Sequence, residues 1–213
     1  MDKILERQLS APVNGVDPYI SPEEFGEAIM PVVVRILQKP ETVSHLSDAQ
    51  KNWYLQRHQA GFLAYMLKHL AGGRAIIRVR FVEDQDFDCV MRAVMKTGDI
   101  VYKRVQLKQL ANHEKSKSLQ EIIKQLKSHY PTSSDLVVAI WLNRDISNFD
   151  LEFEHLDFAG LNIEQLWFFG DSVSGELTLD GGLISNLLSG WRYAARIKNR
   201  QRAVCRVQFK HSA

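Results

Sequence analysis

Between Arg74 and Leu110 three runs of alternating polar and apolar residues are separated by short turns, and this pattern constrains the fold more than any other in the chain. Arg74-Ala-Ile-Ile-Arg-Val-Arg-Phe-Val82 is rich in β-branched residues and reads as a strand, followed by the acidic turn Glu83-Asp84-Gln85-Asp86. Phe87 to Met95 reads as a second strand. Thr97-Gly98-Asp99 is a hairpin turn into a third, Ile100 to Leu110, because short connections carrying Gly and Asp favour antiparallel pairing. The expectation is a three-stranded meander.

Helices are expected on both sides of it. Ser47 or Asp48 can cap a helix from Ala49 to about Leu70, whose apolar stripe includes Phe62, Leu63, Met66 and Leu70, and Gly72-Gly73 ends it. Ser118 begins another helix that stops before Pro131, and Leu136-Val-Val-Ala-Ile-Trp-Leu142 is the most apolar strand in the chain. Residues 1–48 hold five of the six prolines and read as a loop-rich arm with short helices, one starting at Ser21-Pro22-Glu23-Glu24. Beyond 142, Leu166-Trp-Phe-Phe169 and Leu177-Thr-Leu179 read as short strands and Leu183 to about Lys198 as a helix.

The chain has 213 residues, 45% of them hydrophobic, enough to bury roughly 70% of the unfolded surface in one core. The expected fold class is therefore α/β in a single domain, with an N-terminal arm over 1–48, a core over 49–142 and a C-terminal extension over 143–213. Lys and Arg number 27 against 25 Asp and Glu, so nucleic-acid affinity would have to come from local clustering. Cys89 and Cys205 fall in strand-like segments and suit buried free thiols, hence a cytoplasmic location. The most apolar early run, Ala28 to Leu37, is short and interrupted by Pro31, so neither secretion nor membrane insertion is expected.

Side chains alternate along a strand, which puts Gln106 and Lys108 on one face of the third strand with Leu107 turned away. The hairpin closing at residues 97–99 brings that strand back toward Asp88. An acid, an amide and an ammonium can then meet at one end of the sheet. Phosphodiester hydrolysis uses such a set: a carboxylate holds Mg²⁺, the metal polarises the phosphate and activates water, and a lysine orients that water or balances developing charge.

Phe87-Asp88-Cys89-Val90, followed across a hairpin by Val105-Gln106-Leu107-Lys108, resembles the signature of the PD-(D/E)XK nuclease superfamily in variants with glutamine in the last motif. The order helix, three strands, helix, strand over about 49–142 is similar to the restriction-endonuclease-like core of that superfamily. The resemblance implies Asp88 as metal ligand, Gln106 at the second ligand position and Lys108 as catalytic lysine, with Mg²⁺ or Mn²⁺ as cofactor. Members often carry a glutamate on the first helix. Here Ala49–Leu70 contains no Glu, and Gln56 or Gln59 are the similar side chains. Asp86, which shares strand parity with Asp88, is the expected helper, with Glu83 and Glu27 as alternatives.

After Asp180 there is no acidic residue, while Arg192, Arg196 and Arg200 recur every four positions with Trp191 and Tyr193 among them. On a helix that spacing lines one face and could follow phosphates, with Trp191 stacking on a base. A solvated face paired with Asp150, Glu152, Glu154 and Asp157 is the competing interpretation. No His-Glu-x-x-His, phosphate-loop, Gly-x-Gly-x-x-Gly or Gly-x-Ser-x-Gly pattern occurs, which disfavours zinc-protease, nucleotide-cofactor and serine-hydrolase chemistry. The sequence thus points to a Mg²⁺-dependent endonuclease acting on nucleic acid, with DNA favoured. A nuclease-derived binding module with a decayed metal site, or an interaction protein that dimerises through a sheet edge, are the alternatives.

Overall fold

The structure, a computed structural model, describes residues 3–82, 86–109, 118–141, 155–169, 191–198 and 201–208. The first helices are α1 (Lys3–Ser10), α2 (Pro22–Gln38), a 3₁₀ turn (Pro40–Val43) and α3 (Asp48–Ala71). They are followed by β1 (Ala75–Phe81), β2 (Cys89–Met95) and β3 (Ile100–Gln109), then α4 (Leu119–His129), β4 (Ser133–Trp141) and β5 (Ile163–Phe169). β6 (Trp191–Lys198) and β7 (Gln201–Gln208) complete the set. The protein is mixed α/β, and from α3 to β4 it keeps the order that the pattern predicts. Among the described residues no helix is long and apolar enough to cross a membrane.

Three serines start the principal helices by the same device. Ser21, Ser47 and Ser118 each accept a hydrogen bond from the backbone N–H three residues on, and the side chain at that third position, Glu24, Gln50 or Glu121, accepts from the serine N–H. Each reciprocal pair satisfies two otherwise unpaired helical donors and stabilises its helix by about 1 kcal/mol. Gly72 ends α3 in the left-handed conformation, with φ of 56°.

The described chain divides into two compact units, one up to Leu107 and one from Lys108 onward. In the first, β1, β2 and β3 form the expected antiparallel meander, with Phe81 opposite Cys89 and Cys89 opposite Val105. Ile77, Val79, Cys89, Met91, Val105 and Leu107 are buried on one side of it. Phe25 of α2 stacks on Phe81 with ring centres 5.2 Å apart, so the helices cover that side.

α2 is longer than a proline-rich arm suggests, because its 17 residues run through Pro31. Phe25, Ile29 and Val33 are buried four residues apart while Pro31 is exposed. Burial of this apolar stripe outweighs the hydrogen bond and backbone clearance that proline forfeits. α2 packs on α3, and a Cβ added at Gly61 would stand 2.7 Å from Cδ1 of the buried Phe25 ring. Gly61→Val is expected to lower the unfolding free energy by about 1–3 kcal/mol through overpacking, although a side chain there raises helix propensity. Urea denaturation checks this, and a variant as stable as the parent would refute the close crossing.

In the second unit β4 and β5 pair in parallel, β5 and β6 antiparallel, and β6 and β7 form an antiparallel hairpin. Leu136 to Ile140 are all buried, as expected of a strand covered on both faces. Residues 191–198 form a strand and not the end of the expected basic helix. Ala194, Ala195 and the arginines favour a helix locally, but pairing with neighbours on both sides fixes an extended chain. Residues 177–179 and 183–190 lie outside the described residues.

Candidate functional site

Asp88 sits just ahead of β2, where the ladder to β3 ends. Its N–H donates to the Val105 carbonyl at 3.0 Å, although Val105 is already opposite Cys89, so the regular register ends here. The carboxylate then takes over from the missing strand. Its Oδ2 accepts from the Leu107 N–H at 2.6 Å and from the Gln106 side-chain amide. A carboxylate stands where a backbone carbonyl would have stood, and both Asp88 and Gln106 are half-buried.

Gln106 therefore donates its side-chain nitrogen to the Asp88 carboxylate. Lys108 lies two positions further along β3, half-buried, at the start of the second unit. Its ammonium is 5.3 Å from the centre of the Tyr130 ring, within cation–π range. Strand alternation keeps it on the same side of β3 as Gln106.

The helper acids are placed less favourably. Asp86 is exposed in a bend before β2, so strand parity does not fix the side to which it points. Glu27 is exposed on α2, and Glu83 lies outside the described residues. Among the described residues no three His, Cys, Asp or Glu side chains cluster closely enough to hold a metal ion. The donor set near Asp88 is a single carboxylate with amide support, which fits a Mg²⁺ ion that keeps most of its waters.

α3 presents a cation toward β1. Gln59 is buried at 4% exposure and Gln56 is exposed, while the Arg57 guanidinium lies 3.3 Å from the Trp53 ring centre and 4.4 Å from that of Phe81. Burial pushes the Cys89 thiol well above its ordinary pKa; the Asp88 charge adds to this and the Arg57 charge opposes it. Both charges are thus within electrostatic reach of Cys89, a buried free thiol. Nothing in the helical periodicity singled out Arg57.

The basic C-terminal positions are arranged differently from expectation. Trp191, Arg192 and Arg196 lie on β6, with Trp191 opposite Gln208 and Arg192 opposite Val207 on β7. Arg196 pairs with Ala203 and, on its other side, with Trp167. Positions four apart are about 6 Å apart along a helix but about 13 Å along a strand, so Arg192 and Arg196 are spaced about twice as far apart as a helix would place them. Arg200, Asp150, Glu152 and Glu154 lie outside the described residues. Asp157 pairs with Lys127 at 3.3 Å.

A second cationic group was not apparent from the sequence. Arg78 and Arg92 are directly opposite on β1 and β2, and Tyr102 faces Arg92 from β3. Asp17, from the segment before α2, accepts from both terminal nitrogens of Arg92 at 2.6 and 3.1 Å and lies 3.9 Å from Arg78. The Arg-Val-Arg alternation at 78–80 was its only local signal, and the Asp17 to Arg92 contact spans 75 positions. Comparison with family models, curated proteins and solved structures gives no match.

Proposed function

We propose that this protein is a metal-dependent nuclease that hydrolyses phosphodiester bonds of nucleic acid, on a restriction-endonuclease-like core spanning about 49–142. The observation that carries the proposal is the Asp88 and Gln106 pair, joined by a side-chain hydrogen bond across 18 positions at the open end of the β2–β3 ladder. Lys108 follows on the same side of the strand. In this reading the Asp88 carboxylate would hold Mg²⁺ or Mn²⁺, with Asp86 as helper. The ion, when bound, supplies Lewis-acid polarisation of the phosphate and a water of lowered pKa.

The rest falls to the chain itself. Gln106 and the Leu107 N–H fix the carboxylate in one orientation, which lowers the reorganisation needed when a phosphate arrives. Lys108 orients the attacking water or balances charge on the transferring phosphate. Trp191, Arg192 and Arg196 provide further contacts to the nucleic acid along an extended strand. A cytoplasmic location suits both that substrate and the free thiol of Cys89.

A second reading draws on two specific observations: Asp88 Oδ2 is already engaged by two donors, and α3 presents Arg57 and Gln59 in place of a glutamate. It is a nuclease-derived binding module whose metal site has decayed. Plasmid and single-stranded DNA incubated with the protein and with Lys108→Ala in Mg²⁺ or Mn²⁺ decide between the two. The nuclease reading expects the variant to cleave at least about tenfold more slowly. Equal cleavage by both would eliminate the site, and salt-sensitive DNA binding without cleavage would select the binding module.

A further inference from the structure

The face of the meander opposite α2 and α3 is held by an arrangement that a carboxylate satisfies incompletely. Arg78 and Arg92 are a directly opposed like-charge pair, which destabilises a sheet unless an anion lies between them. Among the described residues Asp17 is the carboxylate that reaches them. Its bond to Arg92 is the main cause of a carboxyl pKa below the usual range. Yet Nε of Arg92 and the hydroxyl of Tyr19 are both buried, the first with no hydrogen-bond partner and the second with Arg80 as its neighbouring donor.

Tyr19 is 1% exposed, Arg92 lies 4.3 Å over its ring, and burial pushes its pKa up to about 12, with the charges of Arg80 and Arg92 opposing. Its hydroxyl therefore lies in the field of these two arginines. A carboxylate offers two oxygens to this group of donors. A phosphate offers at least one more, and the parallel fork of Arg92 suits either anion.

The segment carrying Asp17 runs exposed between two buried anchors, Leu9 and Tyr19, and Asp17 also accepts from the Tyr19 N–H at 3.0 Å. Residues 11–17 are all exposed, and the segment joins the sheet edge through the Ile20 and Val79 backbone pair, at 3.0 and 2.9 Å. Arg78 also donates to the Tyr19 carbonyl at 3.1 Å and Arg80 to the Leu9 carbonyl at 3.3 Å. Asp17 retains 45% side-chain exposure, so solvent screens its contact with Arg92 and a competing anion can reach it.

We propose that Arg78, Arg92 and Tyr19 form a phosphate-binding seat on this face, and that Asp17 occupies it as an internal competitor which a phosphate of the ligand displaces. Arg92 faces Tyr102, four positions from Gln106 along β3, so the seat is about 13 Å from the Asp88 and Gln106 pair. The seat rests on the arginines, Tyr19 and Asp17, and it does not require Asp88 to be catalytic.

Binding of a fluorescein-labelled single-stranded oligonucleotide, measured by anisotropy at low salt in EDTA, tests the seat without any cleavage step. Asp17→Asn should bind about threefold more tightly than the parent, since it removes an exposed competitor. Arg92→Ala should bind at least about tenfold more weakly, with Arg78→Ala as a second variant in case the first misfolds. Inorganic phosphate should compete with the oligonucleotide and speed hydrogen exchange at the Ile20 amide by releasing the segment.

Faster exchange with phosphate but no oligonucleotide binding would support the seat and assign it to small phosphates. Equal or weaker oligonucleotide binding by a folded Asp17→Asn protein, with phosphate leaving Ile20 exchange unchanged, would overturn it. Neither result depends on whether Lys108→Ala alters cleavage.

Discussion

Asp88→Asn is expected to retain its fold and lose about 1,000-fold in Mg²⁺-dependent cleavage. Metal-assisted stabilisation of a transferring phosphate is worth several kcal/mol, and each 1.36 kcal/mol is a factor of ten in rate. The asparagine keeps an oxygen to accept from the Leu107 N–H, so the end of the ladder stays closed and the melting temperature shifts by only a few degrees. Asp88→Ala removes that acceptor as well. It should lose cleavage equally and in addition destabilise the protein by about 1–3 kcal/mol, because a half-buried N–H is left unpaired. Rates and thermal melts of the two variants together separate the chemical role of the carboxylate from its structural one. Full activity in Asp88→Asn would remove Asp88 from the proposed chemistry.

Phe168→Ala is expected to cost about 3–5 kcal/mol, a large part of the 5–15 kcal/mol that holds a typical domain together. Phe168 is fully buried on β5, opposite Ile140 of β4 on one side and Ala195 of β6 on the other. Truncation removes the transfer free energy of a whole ring and leaves a cavity that strands fixed on both sides cannot collapse to fill. Phe168→Leu retains most of the volume and should cost roughly 1–1.5 kcal/mol. Urea titrations followed by tryptophan fluorescence distinguish the two, with Trp141 and Trp167 on the strands concerned as reporters. An alanine variant within 1 kcal/mol of the parent would contradict the packing described for β5.

Local chemistry made part of this structure legible. Ser21, Ser47 and Ser118 announced their helices because a capping side chain acts within three residues. Gly98 and its neighbours fixed a hairpin, and from that turn the alternation carried Gln106 back toward Asp88 without further information. Features set by distant partners were not legible. Pro31 is a helix breaker by itself, and only the buried stripe of Phe25, Ile29 and Val33 explains why α2 continues through it. Ala194 to Lys198 reads as helix until strands on both sides claim its backbone. Arg92 looks like any polar strand residue, since its anionic partner lies 75 positions away and no periodicity links them. At the candidate site the residues were readable but their hydrogen bonds were not. Gln106 was expected to offer an oxygen to a metal and instead donates its nitrogen to Asp88.

Replacing Mg²⁺ with Fe²⁺ and adding ascorbate and peroxide generates hydroxyl radicals that cut the backbone within a few ångströms of the bound ion. This locates the metal independently of turnover. The proposed site predicts cuts confined to residues near Asp88 and to the stretch around Gln106 to Lys108, absent in Asp88→Asn. Cuts elsewhere in the chain, or the same cuts in the Asp88→Asn protein, would contradict it.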